Sequence, residues 1–151
     1  VTEGKQEPEV PPAEKPDSVG RLTLPSGFPK VHLNHKLQQT TEKEIMAGVA
    51  SYFVAEYGGP GETQILVRLV GLEKDASDRF LDLMLDAMAG NSTMEKLDVL
   101  VPGEGSGWER SGLYQRREAG IFYCANGRAL MVVSAPTPAE ARAFGEALHA
   151  P

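Results

Sequence analysis

The stretch that decides the fold is Gly120-Ile-Phe-Tyr-Cys-Ala-Asn-Gly-Arg-Ala-Leu-Met-Val-Val-Ser134, in which two β-prone runs flank an Asn-Gly pair. Asn126 and Gly127 both tolerate the positive φ angles of a type I′ turn, so the pair predicts a hairpin with a two-residue loop. A loop of this length pairs Ala125 with Arg128 and fixes the register of every pair below it.

Both faces of this predicted hairpin are apolar. Side chains alternate along a strand, so the register sorts them into two sets. The first face carries Ile121, Tyr123, Leu130 and Val132, and the second carries Phe122, Cys124, Ala129, Met131 and Val133. A ribbon that is apolar on both sides belongs in the middle of a sheet with a covering layer on each face.

Length and composition predict one folded domain. The chain has 151 residues, of which 41% are hydrophobic and 24% are charged, which is ordinary for a globular protein. Its net charge of −6 gives no support to nucleic-acid binding, because phosphate contacts need clustered Lys and Arg. No run of apolar residues is long enough to span a bilayer. We expect residues 21–151 to form a single α+β domain.

The first twenty residues differ in character from the rest. They hold five acidic and two basic residues, four prolines and almost no large apolar side chain. Such a segment buries too little surface to offset its ordering entropy, so residues 1–20 are predicted to be a disordered Pro/Glu-rich linker. A linker of this kind is common between a membrane attachment and a folded domain. The start at Val1 suggests that something upstream was removed. The linker suggests a membrane tether upstream of residue 1, and a frayed terminus of no importance is the alternative.

A short motif after this linker bears on location. Leu24-Pro-Ser-Gly-Phe-Pro29 resembles the opening of many small bacterial exported lipoprotein domains. The resemblance implies an extracytoplasmic protein, periplasmic or on the cell surface, and possibly lipid-anchored. A cytoplasmic protein is the alternative.

Elements before the central hairpin include one ambiguous segment. Residues 41–57 combine a capping-box spacing with many strand formers, and we favour a strand at about 46–57 paired with 63–71 over a helix. Residues 75–89 predict a helix with an apolar stripe, ended by Gly90.

The elements around and after the hairpin have clearer sequence signals. The sequence predicts strands at residues 97–101 and 111–117. Thr137-Pro-Ala-Glu140 is a capping box that predicts a helix continuing to His149.

This order predicts a mainly antiparallel sheet with two helices packed on it, an α+β layered domain. The plan is similar by analogy to the Mog1/PsbP-like folds, which are known mostly as binding or assembly factors. The analogy implies a non-enzymatic binding role.

Few residues suggest catalysis or metal binding. Cys124 is the single cysteine, which excludes a disulfide within the chain and predicts a small buried hydrophobe. His32 and His35 form a close pair, but strand spacing points them to opposite faces and a zinc site needs further ligands. The glycine loop at 103–107 matches no nucleotide-binding motif. We therefore predict no metal and no cofactor.

The most suggestive surface lies between residues 108 and 128, where arginines cluster beside aromatic side chains in an otherwise acidic chain. Arginine, Tyr and Trp dominate binding hot spots. The predicted partner-binding residues are Trp108, Arg110, Tyr114, Arg116 and Arg117. A purely structural role for these residues is the competing interpretation.

The preferred function is a non-enzymatic extracytoplasmic binding or assembly domain whose partner is another protein. One alternative is a small hydrolase or lyase with a cleft near the 102–112 loop, using Glu104, Glu109 or His32. Another is a carrier that encloses a small apolar ligand between sheet and helix.

Overall fold

A computed structural model describes residues 20–21, 28–45, 48–73, 83 and 94–150, and every structural statement below concerns these residues. The strands in chain order are β1 (Gly20–Arg21), β2 (Val31–His32), β3 (His35–Glu42), β4 (Val49–Gly58), β5 (Gln64–Leu72), β6 (Met94–Leu100), β7 (Arg110–Arg116), β8 (Ala119–Ala125), β9 (Ala129–Ala135) and β10 (Leu148–His149). The α-helix α1 spans Pro138–Glu146, and a 3₁₀ turn spans Pro60–Glu62.

Eight of the strands form one antiparallel sheet in the order β2-β3-β4-β5-β9-β8-β7-β6. The sheet consists of two four-strand meanders, β2 to β5 and β6 to β9, joined side by side. The last strand of each meander lies at the centre, where β5 pairs antiparallel with β9 and Val67 lies opposite Val133. The short strands β1 and β10 pair in parallel, separately from this sheet.

The central hairpin forms, but its register differs from the prediction. Ala125 pairs with Leu130 and not with Arg128, which leaves a four-residue connection. The Asn126 side chain explains the longer loop, because its Oδ1 accepts hydrogen bonds from the backbone N–H groups of Arg128 (2.8 Å) and Ala129 (2.9 Å). This is an Asx-type turn, and Gly127 does not adopt the positive φ that a type I′ turn needs.

The predicted faces are nevertheless confirmed, because a shift of two residues preserves the alternation of side chains. We define face A as the side that carries α1, and face B as the opposite side. The buried side chains of face A in the central strands are Ile65, Val67, Leu69, Phe122, Cys124, Met131 and Val133. Those of face B are Val70, Tyr114, Tyr123, Leu130 and Val132.

The prediction of two helices packed on the sheet is wrong. Within the described residues the protein is mostly an eight-stranded antiparallel sheet with one α-helix, α1. The two-helix plan taken from the Mog1/PsbP-like folds is therefore not what the described chain shows. The helix predicted over 75–89 lies outside the described residues apart from Leu83, and so does the linker predicted over 1–20 apart from Gly20.

Helix α1 begins as the sequence predicts but ends earlier. Thr137 caps it, with its Oγ1 accepting from the N–H of Glu140 at 3.2 Å and its hydroxyl donating to the Glu140 carboxylate at 3.0 Å. The helix stops at Glu146 because Leu148 and His149 extend into strand β10, which pairs with β1. No helix in the described residues is long and apolar enough to cross a membrane.

The ambiguous segment is a strand. β4 pairs with β5 along almost its whole length, with Tyr57 opposite Ile65 and Phe53 opposite Leu69. The favoured hairpin of residues 46–57 and 63–71 is therefore confirmed, and the helix alternative is wrong.

Candidate functional site

The five sequence-predicted binding residues do not form one surface. Arg110, Tyr114 and Arg116 occupy alternate positions of β7 and share face B. Arg117 lies in the tight turn after β7, exposed and with a positive φ of 56°. Trp108 belongs to the apolar cluster of face A, on the far side of the sheet.

Two of the five are packed into the protein. Trp108 is 7% exposed, and its indole Nε1–H donates to the carbonyl oxygen of Leu148 at 2.8 Å, which attaches the glycine loop to β10. Tyr114 is 5% exposed and lies beside Tyr123, with 6.2 Å between the ring centroids. Neither ring is presented to solvent as a binding hot spot would be.

A groove of about 420 Å³ lies on face B over the middle of the sheet. It draws on five adjacent strands, β4, β5, β9, β8 and β7. The lining residues are Tyr52, Leu66, Arg68, Arg116, Ile121, Val132 and Ser134. Arg116 is the one sequence-predicted residue among them.

Two arginines give the groove its charge. Arg68 is half-buried on β5, and Arg116 is exposed at the end of β7. Neither guanidinium makes an ion pair or hydrogen bond with any residue that the structure describes. An arginine has five N–H donors in a planar fork, so each guanidinium offers donors that no described residue uses.

The other lining residues come together only because strands that are far apart in the sequence pair in the sheet. Leu66 lies opposite Ser134, and Ser134 lies opposite Ile121, so three strands supply one row of the floor. The sequence did carry one signal, since Arg68 interrupts the apolar run Ile65-Leu-Val-Arg-Leu-Val70. A cation within a central strand needs either a partner or an opening toward solvent.

A larger surface depression, of about 600 Å³, lies at the turn between β4 and β5. Its lining includes two glycines, Thr63, two glutamines and Glu62, with no aromatic or cationic side chain among the described residues. This depression has polar groups but lacks the apolar floor typical of ligand sites. The smaller groove on face B has both an apolar floor and polar groups and is the better candidate.

The 102–112 loop offers no comparable space. The cavity beside it measures about 10 Å³, room for about one water molecule. Glu104 and Glu109 are exposed, while His32 is buried against Phe144. The three groups named for a hydrolase therefore do not converge on this cavity.

Cys124 lies at this small cavity and is 2% exposed. Burial, and secondarily the charge of Glu146, raise the pKa of the Cys124 thiol above its ordinary value. We expect iodoacetamide at neutral pH to leave Cys124 unmodified in the native protein and to alkylate it fully in urea, because the thiolate is the reactive form. Mass spectrometry of the intact protein measures this difference, and rapid alkylation of the folded chain would contradict it.

The two histidines converge, although strand spacing predicted opposite faces. Leu33 and Asn34 both have positive φ, 48° and 64°, and form a two-residue turn that sets His32 directly opposite His35. Both imidazoles meet the Phe144 ring edge-on, at centroid distances of 4.5 and 5.4 Å. His32 Nε2–H donates to the Phe144 carbonyl oxygen at 3.1 Å, so this pair holds α1 against the first meander.

This arrangement predicts acid sensitivity. Burial lowers the pKa of His32 below 6.5; the bond to Phe144 partly opposes the shift and the nearby His35 adds to it. Below pH 6.5 the unfolded chain therefore binds the proton more readily than the folded chain does, and the free energy of unfolding falls as the pH falls. Urea unfolding from about pH 8 to about pH 5 measures this slope. His32→Gln, which keeps a donor but does not titrate, is expected to flatten it, and an unchanged slope would contradict the assignment.

Metal binding has no visible basis in this part of the chain. Among the described residues, no group of three or more His, Cys, Asp or Glu side chains could hold a metal ion.

Comparison with known proteins does not assign the chain to a family, since no family model, curated protein or solved structure matches it.

Proposed function

We propose that this protein is a non-enzymatic binding domain that recognises a segment of another protein in the groove on face B. The observation that carries the proposal is an apolar floor beside Arg68 and Arg116, neither of which has a partner among the described residues, in a chain of net charge −6. The groove volume of about 420 Å³ is in the range of ordinary ligand sites, and a few placed polar groups on an apolar lining are typical of them.

The lining favours binding over catalysis. The described residues around the groove include no carboxylate, histidine, cysteine or lysine that could move a proton. Ser134 and Tyr52 carry the hydroxyl groups of that lining, and none of the described residues on it is a base that could activate them. Arginine and aromatic side chains instead supply contact area and directed hydrogen bonds.

The proposal includes an extracytoplasmic location, with residues 1–20 as a tether. It is supported by the acidic, proline-rich composition of that segment and by the lipoprotein-like motif at residues 24–29. Sequencing the complete gene tests it. A signal sequence with a lipidated cysteine shortly before Val1 would support the location, and an initiator Met at Val1 would contradict it.

The groove can be tested without knowing the partner. Selection of a random peptide library on the immobilised protein should enrich peptides that bind the wild type. These peptides should fail to bind Ser134→Trp, because an indole on the floor fills the groove. Thr40→Trp adds the same side chain at an exposed position of β3 and should leave binding unchanged.

Failure of the selection would overturn the proposal, and so would peptides that bind Ser134→Trp as well as the wild type. Thermal unfolding of both variants shows whether each is folded. The charge reversals Arg116→Glu and Arg117→Glu provide a second, milder test. Their combination should weaken capture of the selected peptides while leaving the melting temperature nearly unchanged.

A further inference from the structure

We infer that Asn126 is a deamidation site, which the glycine loop of residues 103–107 protects while it is bonded to Asn126, and that conversion of Asn126 to aspartate releases this loop. The inference concerns a different part of the molecule from the groove and is independent of the proposed function. It is carried by the three hydrogen bonds of the Asn126 side chain and by the glycine that follows it.

The residue after Asn126 makes its side-chain amide chemically labile. Asparagine deamidates when the backbone nitrogen of the next residue attacks its side-chain carbonyl carbon, and glycine hinders this attack least because it has no β-carbon. Gly127 is exposed, and a β-carbon built on it would meet nothing within 4 Å. Water therefore reaches the site, and packing around Gly127 does not block the attack.

The folded protein holds the Asn126 amide in one orientation. Its Oδ1 accepts from the backbone N–H groups of Arg128 at 2.8 Å and Ala129 at 2.9 Å, and its Nδ2–H donates to the Gly107 carbonyl oxygen at 2.8 Å. Ring closure between the side chain and the Gly127 nitrogen requires the side chain to rotate, which breaks these bonds. The reaction therefore proceeds from a locally opened form, and its rate follows the population of that form.

The bond to Gly107 also ties the glycine loop to the central hairpin. The same loop is tied to the end of the chain, because Ser106 accepts from the backbone N–H of Ala150 at 2.7 Å and the Trp108 indole donates to Leu148 at 2.8 Å. A loop that moves away takes Gly107 with it and leaves the Asn126 Nδ2 without this acceptor. Opening of the loop and exposure of the amide to reaction are therefore coupled.

The reaction needs only water. The Gly127 backbone nitrogen gives its proton to hydroxide and bonds to Cγ of Asn126, the Cγ–Nδ2 bond breaks, and Nδ2 leaves as ammonia with a proton from water. Water then opens the cyclic imide at one of its two carbonyl carbons, adding its oxygen to that carbon and returning a proton to the nitrogen. The products are aspartate or isoaspartate, and nothing is oxidised or reduced.

Either product prevents the loop from closing as before. Aspartate places a carboxylate oxygen where Nδ2–H donated, and this oxygen and the Gly107 carbonyl oxygen are both acceptors that repel each other. Isoaspartate also adds a carbon to the backbone and displaces the Asx-type turn. The lost ammonia is not recovered, so the loop stays released. The bond between Asn126 and Gly107 thus acts as a one-way switch.

The protection is measured on the wild-type protein. The full-length chain is incubated in mildly alkaline buffer with and without guanidinium chloride, and mass spectrometry quantifies the asparagine, aspartate and isoaspartate forms of the peptide that contains residue 126. We expect deamidation to be at least about tenfold slower in the folded protein. Gly127→Ala should slow the reaction of the unfolded chain, because its β-carbon hinders the attack. Equal rates in the folded and unfolded chains would overturn the inference.

The role of the loop is tested by two variants of different stability. Trp108→Phe removes the indole bond that ties the loop to Leu148 and should speed deamidation of the folded protein by several-fold. Gly120→Ala lowers the overall stability more but changes a residue beneath α1, and serves as the matched control. Faster deamidation in Gly120→Ala than in Trp108→Phe, with both folded, would show that global unfolding controls the reaction and would overturn the role of the loop.

The effect of the product is tested with Asn126→Asp. Its glycine loop should open more often, so hydrogen–deuterium exchange at the amides of Ser106 and Ala150 should be about tenfold faster than in the wild type. Asn34→Asp makes the same change at the exposed turn between β2 and β3 and should leave this exchange unchanged. Unchanged exchange in Asn126→Asp would overturn the inference. Should that variant not fold, exchange in wild-type protein that has been partly deamidated gives the same comparison.

Discussion

Replacing Gly120 with alanine is expected to lower the free energy of unfolding by about 3 kcal/mol. Gly120 is in strand β8, where the chain passes directly beneath the start of α1. A β-carbon there would lie 2.2 Å from Pro138 Cα, 2.5 Å from Pro138 N and 2.6 Å from the Thr137 carbonyl oxygen. All three are backbone atoms, and the capping bonds between Thr137 and Glu140 fix their position.

Gly127→Ala is the matched control, because a β-carbon at Gly127 meets nothing within 4 Å. Urea unfolding followed by circular dichroism gives both free energies. Gly127→Ala should stay close to the wild type, while Gly120→Ala should unfold at much lower urea. Equal stability of the two variants would show that α1 can lift from β8 at little cost.

Replacing Trp108 with alanine is expected to lower the free energy of unfolding by about 3–5 kcal/mol. The ring packs among the buried side chains of face A, and its removal leaves a cavity beneath the glycine loop. The substitution also leaves the Leu148 carbonyl oxygen without its indole donor. Trp108→Phe keeps most of the packing but loses the hydrogen bond, and should cost about 1–2 kcal/mol.

The same variants distinguish the structural role of Trp108 from the binding role that the sequence suggested. If the role of Trp108 is structural, the Trp108→Phe variant should bind the library-selected peptides as tightly as the wild type does. This affinity is measured under conditions in which the variant is fully folded. A Trp108→Ala variant of normal stability that loses peptide binding would instead support the sequence prediction. The melting temperature and peptide affinity of each variant are therefore measured together.

The local features of the fold could be predicted because they depend on neighbouring residues. Alternation along residues 120–134 assigned nine side chains of the central hairpin to their correct faces, and the Thr137 cap marked the start of α1. The predicted register was wrong by two residues because the Asn126 side chain accepts hydrogen bonds from backbone N–H groups within the loop. Loop chemistry of this kind competes with the backbone turn that an Asn-Gly pair favours.

The groove could not be predicted because its residues meet through pairing across the whole chain. Arg68 and Arg116 share one groove only because β5 lies next to β9, and no local pattern specifies that neighbour. Proximity in the sequence was misleading for Trp108, which is two positions before Arg110 but packs on the opposite face. The histidine pair was missed for a local reason, because positive φ angles at Leu33 and Asn34 form a two-residue turn that sets His32 opposite His35.

The junction between β5 and β9 makes the proposed recognition a property that neither meander would have alone. Tyr52, Leu66 and Arg68 come from the first meander, and the other lining residues come from the second. A ligand that spans the groove therefore clamps the two halves of the molecule together and stabilises the folded state by mass action. Separating the two meanders would abolish ligand binding in the groove even if each meander stayed folded. Ligand binding would therefore show whether the two meanders are joined.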